Sequence, residues 1–292
     1  MGDKLPMAAV LLALASATLL GAGVVITQFG LRTIHPLSGA AISIPSFTLV
    51  FVLLSPILLH GDTIVWPAVP IFAAVGLFFP SVLTLLTFAA NRALGPVVTS
   101  ALGNLSPLFA VALAVVLLHE PMRPFQFIGL FVSVAGAFIL SVTRTADMRD
   151  WRTWALLLPL CAAFLRGVVP PVLKIGLAIW PNPIGAGLVA YIVSTLTVLV
   201  IERVRTGRFI VQGPLEGRLW FALTGVVNGV GTLLLYAAVG AGPITVVAPV
   251  NATYPLVTMG LSALVLSNVR ITLRLLLGVG LAVAGVVLIL IG

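Results

Sequence analysis

Ten apolar stretches, each long enough to cross a lipid bilayer as a helix, occupy almost all of the 292 residues. A membrane-spanning helix needs roughly 20 predominantly apolar residues. The stretches are continuously apolar rather than alternating, which favours helices over the strands of a membrane barrel. The sequence therefore predicts an all-α integral membrane protein with ten transmembrane helices at 6–30, 36–59, 65–89, 95–118, 124–142, 153–178, 183–202, 218–239, 243–266 and 271–291.

The composition supports lipid as the main solvent of this chain. Hydrophobic residues make up 61% of it and charged residues 8%, whereas soluble domains carry about 25% charged residues. Nearly every charge lies at a predicted helix end or in a loop. The net charge of +8 therefore fits arginines in cytoplasmic loops better than a nucleic-acid surface. We expect the lipid bilayer as a partner and no nucleic acid.

No pattern typical of an enzyme or a cofactor site stands out. The histidines His35, His60 and His119 are scattered in predicted loops without metal-ligand spacing. A glycine-rich phosphate loop followed by Lys and Ser or Thr is also missing, which disfavours ATP hydrolysis within this chain. Cys161 is the single cysteine and lies in an apolar run. We therefore expect neither a cofactor nor a metal nor catalytic residues.

The two halves of the chain resemble each other. A shift of 146 aligns Gly21 with Gly167, Gly30 with Gly176, Leu31 with Leu177, Gly39 with Gly185 and Ala40 with Ala186. Shifts of 147 and 148 align Pro96 with Pro243, Asn104 with Asn251 and Pro107 with Pro255. The fifth and tenth helices each carry one face of small residues, Gly129, Ser133 and Gly136 on one and Gly278, Ala282 and Gly285 on the other. Such faces let helix backbones approach closely in lipid. We predict five-helix repeats at 1–145 and 146–292 within one structural unit.

Five helices is an odd number, so the second repeat should cross the membrane in the opposite sense to the first. The side that carries loops 1–2, 3–4, 5–6, 7–8 and 9–10 holds eleven Lys and Arg residues. The other side holds Lys4 and Arg123, with Lys174 near a helix end, where its amine is expected to reach water. Because cytoplasmic loops are enriched in Lys and Arg, we predict inverted repeats in a bacterial inner membrane with both termini periplasmic. Inverted repeats are typical of secondary transporters, whose site lies near the midplane between them.

Arg166 is the most informative candidate for such a site. It lies about halfway along the sixth span, where a charge is costly and usually faces a cavity. Its repeat counterpart is Leu20, so the shared scaffold does not require the charge. One hypothesis is that Arg166 holds the carboxylate of an amino-acid-like substrate. The alternative is that it bonds carbonyl groups freed at Pro170-Pro171 or extends to the interface.

Further polar residues are predicted deep in the spans. Asn104 and Asn251 align between the repeats, about 12 Å beyond the prolines that begin their helices. Asn228 lies between Gly225 and Gly229, and its counterpart is Ser81. Tyr254 neighbours Asn251, and Tyr191 lies mid-span in the seventh helix. All are candidate substrate-binding residues, with interhelical hydrogen bonds or core packing as the alternatives.

The sequence from Phe88 to Phe109, FAANRALGPVVTSALGNLSPLF, and HEPMR at 119–123 resemble the drug/metabolite transporter superfamily, in particular its EamA-type members. Within that group, the amino-acid exporters of the YddG type are the nearest match. The second repeat departs from the pattern at Ser267-Asn268, where Glu-Pro is expected. Many relatives place their termini in the cytoplasm, whereas the arginine distribution here predicts the reverse.

This resemblance implies a secondary transporter that exports or equilibrates small metabolites by alternating access. We expect neutral or aromatic amino acids as substrates, and a multidrug or other metabolite exporter of the same superfamily is the alternative. Small multidrug relatives bind cationic drugs through a mid-membrane glutamate, and this sequence has no glutamate in the middle of a predicted span. Ten helices are enough to enclose a cavity, so we expect a working monomer.

Overall fold

The computed structural model of the chain describes residues 7–59, 63–83, 86–87, 89–90, 93–94, 99, 102–141, 153–265 and 273–291. We number the helices in it α1 Met7–Gly30, α2 Pro36–Leu58, α3 Val69–Gly76, α4 Ser106–Leu118, α5 Pro124–Ser141, α6 Leu157–Ile179, α7 Pro183–Thr206, α8 Leu215–Ala241, α9 Ile244–Asn251, α10 Tyr254–Val265 and α11 Leu273–Ile291. Short 3₁₀ turns at Trp66–Ala68 and Thr153–Leu156 precede α3 and α6, and a π-helical segment, Leu77–Val82, follows α3.

These helices occupy the ten predicted spans. Within the described residues, six helical spans are long and apolar enough to cross a membrane. One of these six is the ninth span, in which α9 and α10 are counted together as a single span. Four shorter apolar helices lie within the remaining predicted spans. Pro36, Pro124 and Pro183 are each the first residue of a helix. An N–H group at that position would have no partner within the helix, so its absence in proline costs no hydrogen bond. The predicted all-α membrane fold is confirmed.

Helices α5 and α11 show that the repeats are related by a twofold axis. A Cβ atom built on Gly129 would lie 2.5 Å from the carbonyl oxygen of Gly285, and one built on Gly136 would lie 2.7 Å from that of Gly278. Gly129 corresponds to Gly278 and Gly136 to Gly285. Exchanging the two repeats therefore converts the first contact into the second. Reciprocal contacts of this kind define a twofold arrangement. The two helices therefore run antiparallel along the small-residue faces that the sequence predicted.

A second pair of glycines reproduces the same symmetry nearer the centre of the bundle. Gly21 on α1 faces the carbonyl oxygen of Tyr254, 2.7 Å from a built Cβ, and Gly167 on α6 faces that of Ser106 at 2.9 Å. Gly21 corresponds to Gly167 and Ser106 to Tyr254. Each repeat therefore packs its first helix against the fourth span of the other repeat. This packing holds the starts of α4 and α10 at the seam between the repeats.

The fourth and ninth spans are interrupted at equivalent points. Before α4, the Leu105 amide bonds to the Leu102 carbonyl at 3.1 Å, and before α10 the Thr253 amide bonds to the Val250 carbonyl at 3.2 Å. A proline follows two residues after each interruption, at Pro107 and Pro255. Proline lacks the N–H that would continue the helical ladder. Paired discontinuous helices of this kind mark the binding region of many inverted-repeat transporters.

The third span is also distorted beside the seam. Phe79 has φ −123° and ψ 123°, an extended conformation inside the π-helical segment, as expected for a residue that precedes a proline, here Pro80. The buried Ser194 hydroxyl on α7 lies 2.7 Å from the Gly76 carbonyl oxygen and 3.1 Å from that of Phe79. This hydroxyl is therefore placed to satisfy a carbonyl group that the distorted helix leaves without its usual partner.

At one end of the bundle, a partly buried ion pair joins the two repeats. Lys174 Nζ on α6 lies 2.7 Å from Glu120 Oε1, in the connection between α4 and α5. The same ammonium donates to the Gly242 carbonyl at 2.8 Å, and the Thr245 amide donates to Glu120 Oε2 at 3.1 Å. The Lys174 side chain, which was expected to reach water, is 28% exposed and ends in this ion pair with Glu120, which is only 8% exposed.

Candidate functional site

A cavity of about 390 Å³ lies at the seam between the repeats. Its walls come from α1, the distorted third span, both interrupted spans, and α5, α6 and α8. Most of the lining is apolar, and the polar residues that line it are Asn104, Ser106, Ser133, Arg166, Asn228, Thr232, Tyr236, Asn251 and Tyr254. A largely apolar pocket with a few placed polar groups is the usual form of a small-molecule site. Five predicted site residues, Arg166, Asn104, Asn251, Asn228 and Tyr254, therefore meet in one cavity.

Among the described residues that line the cavity, Arg166 is the only charged one. Its guanidinium forms no hydrogen bond or ion pair with any residue in the described part of the chain. The carboxylates described there are Glu120, which binds Lys174, Glu202, which binds Arg205, and Glu216 at the start of α8. A guanidinium offers five N–H donors in a planar fork that matches a carboxylate. The cavity therefore presents a cation whose donors are available to a ligand.

Asn104 and Asn251 both line the cavity but are not equivalent. The Asn104 amide donates to the Ala137 carbonyl on α5 at 2.9 Å, and that of Asn251 donates to the Ser16 hydroxyl on α1 at 2.9 Å. The hydrogen bonds at the two interruptions match at a shift of 148, so Asn104 corresponds to Ala252 rather than to Asn251. The predicted alignment of the two asparagines is therefore one residue out of register. Both amides anchor a broken helix to a neighbouring helix while bordering the cavity.

The first and second repeats contribute different chemistry to this cavity. Arg166 and Pro170 on α6 correspond to Leu20 and Val24 on α1, and all four residues line it. Asn228 adds an amide from α8, and its Oδ1 is buried without a hydrogen-bond partner in the described structure. The α1 side is therefore apolar where the α6 side is cationic. A pocket of this kind suits a small molecule with one polar end and one apolar end.

Tyr191 and Ser81 stand apart from the other predicted residues. The Tyr191 ring packs on Phe47 and Phe51, with ring centroids 3.9 Å and 5.4 Å away. Its hydroxyl donates to the Thr232 Oγ1 at 3.3 Å, so it reaches the cavity wall only through Thr232. The structure does not bring Tyr191 into the cavity lining. The side chain of Ser81 lies outside the described residues.

Four polar residues of the cavity lining were not among the predicted site residues, namely Ser106, Ser133, Thr232 and Tyr236, and Tyr236 is the largest of them. It lies on α8, one helical turn after Thr232, and is 2% exposed. Its hydroxyl is buried without a hydrogen-bond partner in the described structure. The repeat comparison contains a signal for this residue, because Thr84-Leu85-Leu86 and Phe88-Ala89-Ala90 align with Thr232-Leu233-Leu234 and Tyr236-Ala237-Ala238 at a shift of 148. A hydroxyl therefore stands in the second repeat where the first repeat has a phenylalanine.

Two inverted sets of apolar helices enclose a largely apolar cavity that carries a few polar groups, an arrangement that fits a multi-pass membrane transporter. The chain belongs to the EamA-like transporter family, whose sequence profile matches it twice, at residues 7–142 and 153–291. This family lies within the drug/metabolite transporter superfamily, and its members are transporters rather than enzymes. The double match agrees with the duplication predicted from the aligned glycines and prolines.

A solved crystal structure is similar to this chain over 96% of its length and 95% of the other chain. The TM-score is 0.78 and the sequence identity is 15%, so the similarity supports the fold alone. No curated protein sequence matches the chain significantly. Among the described residues, no group of three or more His, Cys, Asp or Glu is arranged to hold a metal ion.

Proposed function

We propose that this protein is a secondary transporter of small zwitterionic metabolites that carry an apolar side chain, such as neutral or aromatic amino acids. The observation that carries the proposal is Arg166, a cation in the cavity between the repeats with no protein counter-charge among the described residues. Keeping a charge at this depth is costly, and such residues usually serve a substrate or ion pathway. A substrate carboxylate supplies the missing counter-charge, and the apolar wall around Leu20 and Val24 receives the side chain.

Alternating access is the mechanism that this architecture supports best. The two repeats meet in reciprocal contacts, and both interrupted spans border the cavity. In transporters with inverted repeats, one repeat rocks against the other around a fixed site. Asn104 and Asn251 tie the broken helices to α5 and α1, so they are positioned to hold the substrate region together as the repeats move. We place Asn228 and Tyr254 beside Arg166 as binding residues.

Counterflow in liposomes that contain only this protein tests the proposal. Labelled neutral and aromatic amino acids should exchange through the wild-type protein. Arg166→Gln should raise the half-saturating concentration at least about tenfold, because a charge-assisted hydrogen bond is lost. Arg166→Lys should restore part of the affinity, since it keeps the charge but loses the fork geometry. Arg208→Gln is the matched control, because Arg208 is exposed in the connection between α7 and α8.

The outcomes separate this substrate class from others. Unaltered exchange by a well-folded Arg166→Gln variant would remove Arg166 from the binding site. Exchange of organic cations without exchange of amino acids would favour the multidrug alternative. That alternative calls for an acidic residue at the site, and no carboxylate lines the cavity within the described residues.

We also propose a bacterial inner-membrane location with both termini periplasmic and a functional monomer that exports its substrate. The orientation rests on eleven Lys and Arg residues on one side of the predicted topology against three near the other. Cytoplasmic loops carry such an excess. Accessibility labelling of cysteines placed at Arg32 and Arg208 tests this orientation. A single chain already encloses the cavity, so transport by monomers diluted into liposomes is the expected result.

A further inference from the structure

The hydroxyl group of Tyr236 has an environment that packing alone does not explain. The side chain is 2% exposed, lines the cavity and has no hydrogen-bond partner in the described structure. Buried hydroxyl groups are nearly always bonded, because an unmade bond costs the full desolvation of the group. A phenylalanine would fill the same space without that cost. The wall of the cavity therefore contains a buried hydroxyl group without a hydrogen-bond partner in the described structure.

The hydroxyl group of Tyr191, a second buried tyrosine, differs from that of Tyr236 because it has a hydrogen-bond partner. Both tyrosines are buried within the same bundle, and Tyr191 is 4% exposed. The Tyr191 hydroxyl donates to Thr232 Oγ1 at 3.3 Å, and Thr232 in turn donates to the Asn228 carbonyl at 2.9 Å. Thr232, one turn from Tyr236, is thus already engaged as both acceptor and donor. The bundle satisfies the tyrosine in its core and leaves the tyrosine at its cavity unsatisfied.

We infer that the Tyr236 hydroxyl oxygen accepts a hydrogen bond from the ammonium group of the transported substrate. This inference rests on the proposed function and names the residue that recognises the second charged end of the zwitterion. Arg166 supplies donors only, so it serves the carboxylate. An ammonium group needs oxygen acceptors, and no carboxylate lines the cavity within the described residues. The phenol oxygen of Tyr236 keeps its acceptor capacity unused, as does the Oδ1 of Asn228, the amide already proposed as a binding group beside Arg166.

This assignment predicts a specific kind of selectivity. Substrates with both a carboxylate and an ammonium group should satisfy Arg166 and Tyr236 together. A deaminated analogue keeps the carboxylate and the apolar side chain but leaves the Tyr236 hydroxyl unbonded. Sites built to hydrogen-bond a substrate group discriminate strongly against analogues that lack it, because the site's own polar group then stays unpaired.

The test compares phenylalanine with 3-phenylpropionate as competitors of labelled amino-acid counterflow in liposomes. The wild-type protein should prefer phenylalanine. Tyr236→Phe should raise the half-inhibitory concentration of phenylalanine about tenfold or more and leave that of 3-phenylpropionate unchanged. Tyr191→Phe makes the same chemical change at a buried tyrosine outside the cavity, and it should leave the ratio of the two concentrations as in the wild type.

Thermal unfolding of the same variants in detergent gives a second readout. Without substrate, Tyr236→Phe should melt no lower than the wild type, since its hydroxyl makes no bond to lose, whereas Tyr191→Phe should melt lower. An unchanged ratio in an active Tyr236→Phe variant would overturn the inference alone. Equal weakening of both competitors would also overturn it, because the hydroxyl would then serve the carboxylate. No counterflow of any amino acid by the wild type would overturn the proposed function and this inference with it.

Discussion

Replacing both Lys174 and Glu120 should destabilise the protein by less than the sum of the two single replacements, because their side chains form a partly buried ion pair. Nζ and Oε1 lie 2.7 Å apart, and the side chains are 28% and 8% exposed. Lys174→Met would leave the more buried carboxylate with the Thr245 amide as its remaining donor in the described structure. Glu120→Gln would leave a neutral acceptor for that amide and keep the bond from Lys174 to the Gly242 carbonyl.

The magnitude follows from burial. Removing one partner of a fully buried pair costs about 3–5 kcal/mol. Because the lysine is more than a quarter exposed, we expect Lys174→Met to lower the free energy of unfolding by roughly 2 kcal/mol and Glu120→Gln by roughly 1 kcal/mol. The double variant should lose less than the sum of the two, since it leaves no unpaired charge.

Denaturant unfolding in detergent micelles measures these differences as a double-mutant cycle. Arg208→Met is the matched control, because Arg208 is exposed and should change stability by less than about 0.5 kcal/mol. A Lys174→Met variant as stable as the wild type would refute the reasoning. Strictly additive effects of the two substitutions on the free energy of unfolding would refute the reasoning as well, because two side chains that stabilise the protein through one ion pair have non-additive effects.

The close contact between α5 and α11 predicts that Gly136→Ala lowers the melting temperature in detergent, because the new Cβ would lie 2.7 Å from the Gly278 carbonyl oxygen. Gly280→Ala is the control and should be tolerated, because no atom lies within 4 Å of a Cβ built on Gly280. Equal melting temperatures of the two variants would contradict this prediction. In a Cys161→Ala background, single cysteines at Arg32 and Arg208 should react with an impermeant maleimide from the same, cytoplasmic side, and labelling from opposite sides would refute the inverted arrangement.

The positions of the spans could be predicted because apolar length and turn residues are local signals. The span predicted at 183–202 is helix Pro183–Thr206, and that at 36–59 is Pro36–Leu58. The interruptions of the fourth and ninth spans could not be placed in advance, because proline shows where a helix is weakened but not which hydrogen bonds replace it. The one-residue offset between Asn104 and Asn251 was hidden for the same reason.

The site was partly predictable because a charge or an amide stands out against apolar sequence. Arg166 was found in this way, and so were the asparagines. Tyr191 and Tyr236 carry the same sequence signal, yet one is bonded in an aromatic core and the other borders the cavity without a partner. The ion pair of Lys174 could not be predicted, because its partner Glu120 lies 54 positions away along the chain. Whether a polar side chain has a hydrogen-bond or ion-pair partner depends on tertiary structure, so a local sequence pattern does not predict it.

The repeat comparison also explains why the binding residues should be sought where the two halves differ. A cavity on a true twofold axis would present the same groups to both ends of a substrate and could not orient a zwitterion. The shared scaffold supplies the paired glycines and interrupted helices, which keep the cavity central. Polarity then comes from substitutions within that scaffold, with Arg166 in place of Leu20 and Tyr236 in place of Phe88. Since both new polar groups belong to the second repeat, that repeat would bind the charged end of the substrate while the first receives its apolar side chain.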